Sequence, residues 1–150
     1  MARISRPPVT ELRDIVDEFA YGLRVKVALP FEAAVERVTA GLKAEGFGVL
    51  TTIDVKQTLK VKLDQDFRKY VILGACNPPL ASRALHAELE VGLLLPCNVI
   101  VYEAGANDSV VAAMAPLAAM GIVGAKSPVF EVATEADARI RRVMQSVERH

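Results

Sequence analysis

The 150-residue chain has two cysteines, two histidines and no excess of charge of either sign. Each scarcity removes a class of function. Two cysteines are too few for a disulfide scaffold, so a packed core must hold the fold and the reducing cytoplasm is the expected compartment. Lys plus Arg and Asp plus Glu both total 18. A balanced chain lacks the basic surface that phosphate neutralisation requires, which predicts no nucleic-acid partner. Metal ligands are sparse too. No Cys-x-x-Cys occurs, and neither His86 nor His150 stands at ligand spacing to another donor, so no metal site is expected. Gly41, Gly46 and Gly48 do not form a phosphate-binding fingerprint after a strand.

Long hydrophobic runs are also missing. The longest, Val110 to Val123, is broken by Pro116 and Gly121 and is too short for a bilayer, which predicts no membrane span. The opening Met1-Ala-Arg-Ile-Ser-Arg-Pro-Pro runs into Glu11, Arg13 and Asp14 instead of an apolar segment, so no secretory signal is expected. What is present suits burial. The chain is 52% hydrophobic and 24% charged, with a mean hydropathy of +0.29. That is far from the composition of disorder, and the length fits one domain.

Residues 1–20 read as a leader, in which Thr10 caps a short helix reaching Phe19 with Leu12, Ile15, Val16 and Phe19 on one face. Residues 21–150 read as a single domain. Leu23, Val25 and Val27 alternate with Arg24 and Lys26, the period of a half-buried strand. Phe31, Val35, Val38 and Leu42 fall at helical spacing, with Gly46 as the stop. A strand follows over 48–53, and Asp54 caps a short helix. The apolar run Tyr70 to Ala75 predicts a central strand covered on both faces. A helix starts at Asn77-Pro78-Pro79, a strand runs over 93–102, and 109–114 is its hairpin partner. The stretch 115–128 is ambiguous, and Thr134 begins the last helix. The fold class is therefore α+β. Two strand–helix–strand units, 21–53 and 70–102, form one sheet with helices mostly on one face, plus a hairpin and a C-terminal helix. An open apolar face would favour a homodimer.

Two Cys-Asn pairs are the candidate site residues. In Gly74-Ala75-Cys76-Asn77-Pro78, Asn77 suits an N-cap and Pro78 the first helical turn. Cys76 lies just ahead of that helix, where the dipole favours a thiolate, although a buried structural cysteine is the commoner case. In Leu95-Pro96-Cys97-Asn98, the proline marks an edge, a strand start or a bulge. Alternation sets Cys97 with Val99 and Val101, and Asn98 with Ile100 and Tyr102. If their strands are parallel neighbours, the two thiols are offset by roughly 7–10 Å along the strand direction, too far to bond.

Three segments carry a family resemblance. They are Gly46-Phe-Gly-Val-Leu-Thr51 leading to Ile53-Asp54-Val55, Tyr70-Val-Ile-Leu-Gly-Ala-Cys-Asn-Pro78, and Leu93-Leu-Leu-Pro-Cys-Asn-Val99. Over about residues 20–125 the chain resembles the bacterial and archaeal family called domain of unknown function 302. The resemblance implies a small α+β fold that tends to form homodimers, and it carries no established activity or cofactor. The expectation from residues and resemblance together is a small-ligand-binding domain with Cys76, Asn77, Cys97 and Asn98 near its site. The other readings are a thiol-based redox or soft-metal protein, and a purely structural or interaction module.

Overall fold

The structure, a computed structural model, describes residues 16–148. Six strands form one antiparallel sheet in the order β1-β2-β6-β5-β4-β3. The strands are β1 (Val16–Phe19), β2 (Gly22–Val27), β3 (Gly48–Asp54), β4 (Tyr70–Cys76), β5 (Cys97–Gly105) and β6 (Asp108–Met114). The helices are α1 (Phe31–Ala44), α2 (Val55–Leu63), α3 (Pro78–Ala87), α4 (Pro116–Met120) and α5 (Pro128–Glu148), with a 3-10 segment over Leu89–Leu94. The α+β class and the β5–β6 hairpin are as the sequence implies.

Helices α1 and α5 cover one face. Leu23, Val25 and Val27 of β2, Leu73 of β4, and Val99 and Val101 of β5 meet Val38 and Leu42 of α1 and Ile140 and Met144 of α5 in the main core. These positions are the period-two and helical-period residues of the sequence, so burial of each apolar stripe sets the layer. A smaller second core lies off the end of the sheet. There Leu80 and Ala84 of α3 pack with Val91, Met120, and Val129, Val132 and Ala136 of α5. Helix α5 therefore serves both cores.

Four expectations are corrected. Val16–Phe19 is a strand, not the end of a helix; residues 10–15 of that expected helix lie outside the described residues. The strand is fixed by partners distant in sequence. Arg24 donates to Asp17 at 2.7 and 3.0 Å, and Arg141 of α5 pairs with both oxygens of Glu18 at 3.0 and 3.1 Å. Helix α5 begins at Pro128 instead of Thr134, with Ser127 Oγ accepting from the Val129 N–H at 3.1 Å and proline at the first helical position. Thr134 is internal and its hydroxyl donates to the Phe130 carbonyl. Leu89–Leu94 is a 3-10 turn, so β5 starts at Cys97, immediately after the cis Leu95-Pro96 peptide. Finally, β4 lies next to the edge strand β3, and its helix cover is on one face. Its continuous apolar run arises because the opposite face is apolar as well. Ile53, Ile72, Ile100 and Ala112 form one row across that face, and Tyr70, Tyr102 and Val110 form the next. The rings of Tyr70 and Tyr102 stack there at 5.6 Å.

Candidate functional site

A cavity of about 330 Å³ lies at the seam between the two cores. Its sheet side is the point where β4 ends and β5 begins, bordered by Ala75, Cys76 and Cys97; its helix side is Ala84 of α3, Met120 of α4 and Ala136 of α5. No charged side chain lines it. Ala75 and Ala84 are fully buried behind that wall and Ala136 nearly so, while Leu50, Thr51 and Leu85 are its exposed members.

Part of the exposed lining comes from the bulge of β3, where the register against β4 shifts between Val49 and Thr51. The extra residue, Leu50, is 69% exposed and forms the rim with Thr51 and Leu85. Bulges redirect side chains in this way. Gly74 lets Thr51 and Pro96 close over the sheet. A Cβ at that position would collide with Thr51 Oγ1 and lie 3.0 Å from Pro96 Cγ. Thus Thr51 is held at the mouth by a glycine in the neighbouring strand.

Strands β4 and β5 are antiparallel, with Ala75 opposite Cys97, so the parallel stagger expected between the thiols is absent. Cys76 stands one residue beyond that pair. Alternation puts Cys97 on the helix-covered face with Val99 and Val101, and Cys76 on the other face with Gly74. Both are free thiols and both border the cavity. Opposite orientation does not favour a metal shared by the two, and no cluster of three His, Cys, Asp or Glu forms among the described residues. Burial, and secondly the charge of Cys76, pushes the Cys97 thiol up to about 11. At neutral pH Cys97 is a packing group. Cys76 is only partly buried.

Asn77 has two structural tasks. Its Oδ1 accepts from the Leu80 N–H at 3.3 Å, capping α3 as expected, and its Nδ2 donates to the Glu45 carbonyl at 3.3 Å. Arg139 donates to the same carbonyl at 3.1 Å, while the Glu45 carboxylate accepts from Arg142. This hub ties the end of α1 to α3 and α5. Gly46 makes room for it, since its φ of +87° suits glycine and a Cβ there would lie 3.0 Å from Asn77 Nδ2. The start of α3 has little left to offer an anion. Pro78 and Pro79 carry no N–H, Leu80 N–H is taken by Asn77 Oδ1, and Ala81 N–H by the Asn77 carbonyl.

Asn98 is apart from this group. It is exposed on the open face, opposite Gly74, and does not line the cavity. The cavity therefore brings together Cys76, Asn77 and Cys97. Sequence reasoning missed Leu50 and Thr51, because nothing in their spacing marks a bulge. It also missed Met120, which falls in the ambiguous stretch.

The family model for domain of unknown function DUF302 matches residues 23–147, a span that contains the cavity and the hub. The chain belongs to the DUF302 family. A similar solved structure is an uncharacterized conserved DUF302 protein from Bacillus stearothermophilus, 31% identical, with a TM-score of 0.75. The match covers 85% of this chain and 98% of that one. No curated protein matches the chain. Family membership thus accounts for the fold and leaves the activity to be read from the site.

Proposed function

We propose that this DUF302 chain is a cytoplasmic, homodimeric domain that binds a small apolar molecule at the seam between its cores. The observation that carries the reading is the cavity of about 330 Å³, whose wall is apolar and holds no charged side chain. A concave apolar wall with few polar groups is the usual construction of a small-molecule site. The part of the ligand enclosed there is uncharged, since the wall supplies no countercharge.

Filling the space tests this directly. In Ala81→Leu and Ala81→Phe, at a half-buried position on the cavity wall, binding of a neutral apolar fluorescent probe should weaken by about tenfold or more, a change of about 1.4 kcal/mol. The urea midpoint should hold or rise. Probe binding equal to wild type in both variants would remove the reading.

The homodimer is supported by the open sheet face, where Ile72, Ile100 and Ala112 lie in one row beside the Tyr70–Tyr102 stack. Covering such a face is an ordinary reason to pair. Sedimentation at micromolar concentration should give a dimer, and Ile100→Lys a folded monomer. A wild-type monomer there would end this part of the proposal. The two free thiols suit a reducing compartment.

A further inference from the structure

We infer that the second copy of this chain seats on helix α2 as well as on the sheet, the α2 of each protomer lying across the open sheet face of the other. The inference rests on the homodimer reading and locates its interface.

Helix α2 has nine residues and buries none of them within the protomer. Its ends are well made. Asp54 accepts from the Gln57 N–H, and Asp64 closes the helix in a left-handed conformation. Capping alone holds so short a helix poorly, because helices below about 12–15 residues are marginal in water without a packed apolar face. That face exists. Val55, Leu59 and Leu63 lie along one side, the first two partly buried and Leu63 65% exposed. Lys56 and Lys60 are engaged on their own segment, by the Phe67 carbonyl and by Asp64 and Asp66.

The stripe is continuous with the open side of the sheet. Ile53, next to the cap residue, ends the row of Ile72, Ile100 and Ala112. Phe67, beyond the helix, has its ring 6.1 Å from that of Tyr70.

Area shows why a partner must cover both. A stable interface takes about 800 Å² from each partner, about 500 Å² of it apolar in a homodimer. An aliphatic side chain carries about 60–120 Å² of apolar surface and an aromatic one about 200 Å². Tyr70, Ile72, Ile100 and Tyr102 are already partly covered and Val110 and Ala112 are buried, so the sheet face offers about 200 Å². Ile53, Phe67 and the α2 stripe add about 250 Å². The face alone falls short, and the two together come close. A twofold axis between α2 and the face makes the contact self-complementary. Each helix then meets the other copy's sheet, which repeats the helix-on-sheet layering of α1 and α5. Pairing α2 with α2 would leave both faces open.

Sedimentation of single variants and of a mixture tests the arrangement. Leu63→Asp should stay folded by circular dichroism and dimerise at least about tenfold more weakly, since it sets a charge in the apolar contact. Val61→Asp is the control. Val61 is 72% exposed but two residues from Leu63, on the far side of the helix, so its dimer should be unchanged. Mixing Leu63→Asp with Ile100→Lys, each a monomer alone, should restore a dimer. One α2–sheet contact is then wild type, and the other brings an aspartate to a face carrying the new lysine. A dimer indifferent to Leu63→Asp, a Val61→Asp equally disruptive, or a mixture that stays monomeric would each overturn the inference and leave the homodimer standing. A monomeric wild type would end the homodimer reading itself.

Discussion

Asn77→Ala should lower the folding stability by about 3 kcal/mol, read as a fall in urea midpoint with an unchanged slope. Loss of an N-cap contributes about 1 kcal/mol. The Leu80 N–H, buried at the start of α3, then has no acceptor, which costs about 1–3 kcal/mol more. The Glu45 carbonyl also loses one of its two donors from outside α1. Asn77→Asp separates the two tasks. It keeps the acceptor for Leu80 but replaces the Nδ2 donor with an oxygen facing the Glu45 carbonyl, so it should recover only the capping part. A midpoint unmoved by Asn77→Ala would show that the hub does not hold α1, α3 and α5 together. The comparison also guards the ligand-site tests, because Asn77 lines the cavity through its structural role.

The second large effect is a loss of stability in alkali that Cys97→Ala reduces. Burial holds the folded-state thiol at about 11, whereas an unfolded thiol titrates near the ordinary value of about 9. Between those values the folded state binds the extra proton. Stability from this group is therefore fully present below about pH 9 and is lost as pH rises towards about 11. A raised value of about two units corresponds to about 3 kcal/mol. Lysines and tyrosines titrate in the same window, so the measurement is the difference between wild type and Cys97→Ala in urea unfolding at about pH 8 and about pH 11. Wild type should lose more than the variant. Equal losses would mean that Cys97 opens to solvent far more readily than its position in the main core implies. Thiol labelling of the folded protein at neutral pH gives the same contrast kinetically, with Cys76 reacting well before Cys97.

Both effects concern residues that local sequence marks clearly. Asn77-Pro78-Pro79 is a helix start by its own chemistry: an acceptor, then two residues that need no N–H partner. The alternation through Cys97, Val99 and Val101 sets the second thiol on one face with the two valines, and in the sheet that face is the buried one. Asp54 capping α2 is equally local. Where pairs far apart in sequence make the decision, the pattern was insufficient. Val16, Asp17, Glu18 and Phe19 have apolar ends that suit either a helix or a strand. Pairing with β2 and the Glu18–Arg141 contact settle the question. The start of α5 was misplaced because Thr134-x-x-Asp137 imitates a cap. Asp137 is instead buried, accepting from Arg141 and from the Leu117 N–H.

By itself the sequence determined the α+β class, most of its elements, the cap at Asn77 and the family, because these depend on periodicity and neighbouring residues. Tertiary structure alone decided the antiparallel strand order, which sets Ala75 against Cys97 and turns the two thiols to opposite faces. It also decided that residues of β3, β4, α3 and α5 border one apolar cavity, with Leu50 and Thr51 exposed on it. A cavity is a relation among surfaces distant in the chain, and a small side chain in sequence looks the same whether its neighbour fills the gap or not.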